Sequence, residues 1–77
     1  MEDYDLRGLR CPLPALKTRH RLKSLQSGDR LVVLTDDPMA VIDIPHFCNE
    51  AGQLLLEHGE TDDGDHRFVI ERTDRLS

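Results

Sequence analysis

Residues 11–25 read CPLPALKTRHRLKSL, and the way this stretch parses decides the fold. Ala15, Thr18, Leu22 and Leu25 recur at spacings of three and four, while Lys17, Arg19, His20, Arg21 and Lys23 fill the positions between them. That is the pattern of a surface helix with one buried stripe. Proline suits the first helical position, where its missing N–H costs nothing and its fixed φ already fits. Pro12 is therefore expected to open the helix, with Pro14 as its third residue and Cys11 as its N-cap. Two orphan donors are then gone, which leaves the N–H groups of Leu13 and Ala15 near the sulfur as a small anion nest. With Arg10, Arg7 and Lys17 nearby, the helix end is expected to favour thiolate over thiol. A cysteine that merely packs is the commoner kind. Cys11 lies outside the apolar periodicity, however, so a reactive role is the stronger reading.

Upstream, Tyr4 and Leu6 alternate with Asp3 and Asp5 as a first strand ending near Gly8. Downstream, Gly28 stops the helix and Leu31-Val32-Val33-Leu34 follows as a continuous apolar run, hence a central strand. Thr35-Asp36-Asp37-Pro38 is a second helix-start signal, so capping explains both aspartates better than acid catalysis does. Pro45 would break a helix running through it. The expectation is an irregular turn over Pro38 to Ile42, then a helix capped by Asp43 and closed by Gly52. Ile44, Phe47, Cys48 and Ala51 form its buried stripe, which makes Cys48 an inert core thiol. Gln53 to Glu57 and His66 to Arg72 are strand candidates joined by the acidic loop Gly59 to Asp65, with Phe68 and Ile70 facing the helices.

The order βαβαββ gives an α/β fold, a two-layer sandwich with a four-stranded mixed sheet and two helices on one face. At 77 residues one domain spans 1–77, too small for a second core or a deep pocket. The uncovered sheet face leaves Val32 or Leu34 partly exposed, a surface that supports self-association, although a monomer is the expected state. Net charge is -5, yet six of the ten Lys and Arg (Arg7, Arg10, Lys17, Arg19, Arg21, Lys23) cluster around the thiol. A basic end on an acidic molecule suits an acidic protein partner and argues against direct nucleic-acid binding. Two cysteines, no secretory leader pattern and no bilayer-length apolar stretch point to the cytoplasm, with no membrane partner. Leu13 and Leu16 fall off the buried stripe on the thiol side, where they form an apolar rim for a docking protein.

Gly8-Leu9-Arg10-Cys11-Pro12-Leu13-Pro14, then Lys17, resembles the Cys-Pro-x-Pro signature of the TusA/SirA-like sulfur-carrier (sulfurtransferase) family. Asp5, Gly28-Asp29, Asp36-Asp37-Pro38, Asp43-Ile44-Pro45 and Phe47-Cys48 resemble its TusA branch, so the likeness spans nearly the whole chain. Tyr4 departs from a frequent leucine, and the loop from Gly59 to Asp65 follows no fixed pattern. The resemblance implies a persulfide carrier. Cys11 accepts sulfane sulfur from a donor such as a cysteine desulfurase and relays it to a downstream protein, foremost for tRNA 2-thiouridine synthesis. Related carriers serve molybdenum-cofactor maturation or sulfur oxidation. Pro12 and Pro14 shape the turn, and Arg10, Leu13, Leu16 and Lys17 stabilise the sulfur or dock the partner. Sulfur rides covalently, so no cofactor is expected.

Three rivals remain. A dithiol switch would pair Cys11 with Cys48, but a buried Cys48 offers poor access. A metal site from His46, Cys48 and His58 or His66 lacks ligand spacing, since residues two apart on a helix diverge; no metal is expected. A non-catalytic interaction module would use the Leu13 and Leu16 rim with the thiol incidental.

Overall fold

A computed structural model describes residues 2–76. The elements are β1 (Glu2–Asp5), α1 (Leu13–Lys23), β2 (Arg30–Thr35), α2 (Ala40–Ala51), β3 (Leu54–Glu60) and β4 (His66–Glu71). The sheet order is β1-β2-β4-β3. β1 runs parallel to β2, and both other pairings are antiparallel. This is the expected α/β sandwich with a mixed four-stranded sheet.

The helix-facing side of the sheet carries Leu31, Val33, Phe68 and Ile70, each with no exposed surface. Val33 lies opposite Phe68 and Leu31 opposite Ile70, so cross-strand pairs fill the floor of the core. Leu22 from α1 and Ala40, Ile44 and Cys48 from α2 cover them. Each large side chain so buried contributes about 1.5–3 kcal/mol. His58 stacks on Phe68 with ring centroids 4.3 Å apart and covers that end of the layer.

The opposite face has no helix, yet Val32 and Val69 are only 7% and 2% exposed. Register explains it. Arg30 faces Glu71, Val32 faces Val69 and Leu34 faces Arg67, so long charged side chains flank the valines. Arg30 bonds Glu71 at 3.2 Å and Arg67 approaches Glu57 at 3.8 Å, and long side chains so held beside an apolar residue can shield it with their aliphatic stems. Of the two residues expected to be partly exposed, Leu34 is half-buried and Val32 is covered.

Several boundaries differ from the sequence reading: β1 ends at Asp5 rather than near Gly8, α1 ends at Lys23 and β4 at Glu71, and the larger differences lie at α1, α2 and β3. Helix α1 begins at Leu13 with Pro12 as its N-cap, so Pro14 occupies the second helical position and Cys11 lies outside the helix. Prolines two apart each satisfy the N-terminal rule, and it cannot choose between them. Helix α2 runs unbroken through Pro45 from Met39 as N-cap; the turn expected over Pro38 to Ile42 is confined to Pro38 and Met39, and Asp43 is a first-turn residue rather than the cap. A mid-helix proline costs about 3 kcal/mol, which burial of Ala40, Ile44 and Cys48 along one stripe offsets. Strand β3 begins one residue later than expected and runs on to Glu60, past a bulge between Leu55 and Glu57.

Gly52 ends α2 at φ 70°, as expected of a left-handed C-cap. Beside it, Thr73 N–H donates to Gln53 Oε1 at 2.8 Å and Thr73 Oγ1 donates to the Gly52 carbonyl at 2.8 Å. These bonds tie the chain after β4 to the α2 end of the molecule.

Candidate functional site

Parallel pairing brings the C-terminal ends of β1 and β2 to one edge of the sheet, so the loops leading into α1 and α2 meet there. Leu6 N–H continues the pairing onto the Leu34 carbonyl at 2.7 Å. Two adjacent aspartates then clasp the first loop from the second. Asp36 Oδ1 accepts from Gly8 N–H at 2.9 Å and from Arg10 Nη1 at 2.8 Å. Asp37 Oδ2 accepts from Cys11 N–H at 2.7 Å, while its Oδ1 accepts from Met39 N–H at 3.1 Å. Asp37 is 3% exposed, and its own N–H donates to Thr35 Oγ1 at 3.2 Å. Met39 is the N-cap of α2 and no side chain caps the helix, so neither aspartate is the cap expected: Asp36 holds the first loop, and Asp37 ties the turn before α2 to the Cys11 backbone.

Cys11 itself is exposed and free, on a cis peptide bond to Pro12. Leu13 N–H donates to the Arg10 carbonyl at 2.8 Å, so the nest of Leu13 and Ala15 donors does not form around the sulfur. The charge environment is also the reverse of the expected one. Arg10 is turned onto Asp36, and Arg7 bonds Asp5 at 2.9 Å and reaches Asp65 at 3.5 Å. Arg7 holds the Asp5 carboxyl down at about 2. The Cys11 thiol is pushed up, first by its hydrogen bond to Asp43, then by desolvation and by the charges of Asp43 and Asp37. Sequence proximity to Arg7, Arg10 and Lys17 misled because the two arginines bond carboxylates of their own.

Leu13 and Leu16 are 43% and 56% exposed, as expected of a rim. At the start of α2, the N-cap Met39 is 47% exposed and Ile42 in the first turn is 62% exposed. Met39 shares the Asp37 carboxylate with Cys11, and Ile42 precedes Asp43. Sequence reading missed both, since each lies in a segment expected to be an irregular turn. Their spacing off the Ala40, Ile44 and Cys48 stripe was the available signal. Lys17 is exposed on α1.

Cys48 is 2% exposed, and burial pushes its thiol up to about 11. The two cysteines therefore differ in access. Iodoacetamide at neutral pH is expected to label Cys11 alone, with Cys48 reacting only after denaturant is added; peptide mass spectrometry reads both sites. Equal labelling of the native chain would show that Cys48 is not sealed in the core.

Among the described residues, no three His, Cys, Asp or Glu side chains are placed to hold a metal ion. His46 lies instead near Glu50, at 3.8 Å. No helix among them is long and apolar enough to cross a membrane.

Comparisons with known proteins agree with this geometry. The family model for sulfurtransferase TusA matches residues 2–72. A candidate sulfur carrier protein of Neisseria meningitidis serogroup A is 43% identical over 61 residues, covering 79% of this chain and 82% of the relative. The sulfur carrier protein TusA of Buchnera aphidicola is 35% identical over 72 residues, covering 94% and 90%. The crystal structure of a SirA-like protein from Desulfitobacterium hafniense superposes with a TM-score of 0.84 over 96% of this chain and all of the other. At 24% identity that likeness speaks to the fold. With the family model spanning almost all of it, the chain belongs to the sulfurtransferase TusA family, a family of sulfur carriers.

Proposed function

We propose that Cys11 carries sulfane sulfur as a persulfide, taking it from a cysteine desulfurase and passing it to a downstream relay protein that serves tRNA 2-thiouridine synthesis. The observation that carries this reading is the exposed Cys11 thiol, fixed by its backbone to a buried carboxylate. In loading, the Cys11 sulfur attacks the terminal sulfur of the donor's persulfide. A new S–S bond forms at Cys11, the donor's own S–S bond breaks, and the donor cysteine departs with the bonding pair. In delivery, an acceptor thiolate takes the outer sulfur in the same manner and Cys11 is the leaving group. Each step is an exchange at sulfur that needs an accessible thiol and in-line approach, and no further catalytic group.

Leu13, Leu16, Met39 and Ile42 supply the apolar contact that brings the two sulfurs together, and Pro12 and Pro14 shape the turn that presents the thiol. The test is incubation of the pure chain with a cysteine desulfurase and cysteine, followed by intact-mass and peptide analysis. One added sulfur atom on the Cys11 peptide, removable by reductant, is expected. Loss of two hydrogens without added sulfur would replace carriage with an internal disulfide.

A further inference from the structure

Two arginines precede Cys11 in the loop after β1, and their hydrogen bonds differ. Arg7 is saturated with carboxylates. Its Nε and Nη2 grip the two oxygens of Asp5 at 3.0 and 2.9 Å, a fork-to-fork pairing, and its Nη1 reaches Asp65 at 3.5 Å. Arg10 uses Nη1 alone. That nitrogen donates to Asp36 Oδ1 at 2.8 Å and to the Leu9 carbonyl at 3.1 Å, while Nε and Nη2 have no partner among the described residues. The edge with which Arg7 holds a carboxylate is therefore open on Arg10, in the residue next to Cys11, on a side chain that is 61% exposed.

An exposed arginine ordinarily gives up much rotamer freedom when a partner binds it. Arg10 has given up part of it already. Asp36 is itself fixed, since the oxygen that takes the guanidinium also accepts from Gly8 N–H at 2.9 Å, and the next residue, Asp37, holds the Cys11 N–H at 2.7 Å. Consecutive aspartates thus hold the guanidinium and the backbone of the thiol-bearing residue together. An Nε–Nη2 edge presents two parallel N–H donors, which a carboxylate meets bidentately. A nucleic-acid phosphate would meet the same donors, but a strand of phosphates would have to approach a protein of net charge -5 with Asp36 and Asp37 beside the contact. A single carboxylate on a protein surface bears less of that repulsion. Resting on the reading of Cys11 as the loaded residue, we propose that the open edge of Arg10 receives an aspartate or glutamate of the sulfur donor, with Asp36 as the positioning residue that holds the guanidinium ready. The pair seats the donor beside Cys11 before exchange begins. A protein without a carboxylate at that place binds less tightly, so Arg10 determines specificity and takes no part in the chemistry.

The experiment takes a cysteine desulfurase as donor and compares the wild-type chain, Arg10→Ala, Arg10→Lys and Arg30→Ala, the last a control at the opposite end of β2 whose partner is Glu71. Affinity for the desulfurase is measured by calorimetry without cysteine, so that docking is read apart from sulfur transfer. Arg10→Ala is expected to weaken binding about 10-fold or more, the loss of a charge-assisted bidentate contact. Arg10→Lys is expected to weaken it about 3-fold or more, because an ammonium is a point donor, and Arg30→Ala matches wild type. With cysteine added, half-maximal loading of the Arg10 variants needs more donor by the same factors, while the rate at saturating donor stays within about 2-fold of wild type. Alkylation of Cys11 by iodoacetamide, which needs no docking, is expected to be alike in all four chains. Binding that neither Arg10 substitution weakens overturns the contact, and so does alkylation that falls as far as the affinity, since that marks a displaced thiol. Carbodiimide coupling of the Arg10→Lys chain to the desulfurase then reads the chemistry. An amide between residue 10 and an aspartate or glutamate of the donor is expected in the peptide masses; residue 10 coupled only within its own chain overturns the carboxylate. Binding without sulfur on Cys11 in any chain overturns the carrier reading alone, because affinity and cross-link judge Arg10 without sulfur transfer, whereas a wild-type chain that does not bind overturns the contact.

Discussion

A Cys11→Ser chain given cysteine desulfurase and cysteine gains no sulfur, whereas Cys48→Ala loads at close to the wild-type rate. The first half follows from the bond that must form. A persulfide needs a sulfur nucleophile whose product is an S–S bond that a later thiolate can open; a serine hydroxyl offers neither, so loading falls at least 10²-fold, on the order of background exchange. The side chains are nearly isosteric, and Cys11 is exposed, so the fold survives the change and the result reports on chemistry alone. The second half follows from burial. Cys48 is 2% exposed with its thiol pushed up to about 11, which leaves almost no thiolate and no path for a partner's sulfur. Alanine is the better replacement there, because a serine hydroxyl would enter an apolar core without a partner. Intact mass after loading separates the outcomes; wild-type loading of Cys11→Ser would defeat the assignment.

The periodic parts of this fold were legible because each rests on local geometry. Alternation at Tyr4 and Leu6, the apolar run 31–34, and the three-four spacing through Leu22 and through Ile44 and Cys48 each record one face turned inward. From those faces the layer order follows. Phe68 and Ile70 were assignable to the helix side for the same reason, and both have no exposed surface. The covered state of Val32 and Val69 was not, since it depends on which charged residue the register places beside each valine.

The site was legible as a residue but not as an environment. A thiol beside two prolines and three basic residues reads as an activated cysteine when only the chain order is known. Its actual neighbours are distant in sequence, by 26 residues in the case of Asp37, and Asp43 lies in the first turn of α2 because that helix starts at Ala40. Local rules take Pro45 for a boundary; burial along the opposite stripe of α2 overrides them. Helix phase at Pro12 and Pro14 failed on a finer scale, since both phases satisfy the same rule and tertiary contacts choose between them.

Asp37→Ala is the other change with a large expected effect, and it acts on stability and function together. Its carboxylate accepts from Cys11 N–H at 2.7 Å and from Met39 N–H at 3.1 Å while almost fully buried. Hydrogen bonds to a charged acceptor contribute about 1.5–3 kcal/mol each, and alanine leaves both donors in partly buried surroundings without a partner. A loss of about 3 kcal/mol is therefore expected, a large share of the roughly 4–12 kcal/mol that stabilises a domain of this length. Urea unfolding measures it. At urea concentrations where the variant is still folded, sulfur loading is expected to drop about 10-fold or more, because the Cys11 backbone is no longer held against the α2 entry and a small misplacement of a reacting atom is costly. Asp37→Asn retains one good acceptor and should lie between the two, whereas Asp36→Ala, whose side chain is 34% exposed, should cost less than Asp37→Ala in both measurements. An Asp37→Ala chain with wild-type stability and wild-type loading would show that the clasp between the two helix-entry loops is dispensable, and that Cys11 is placed by its prolines alone.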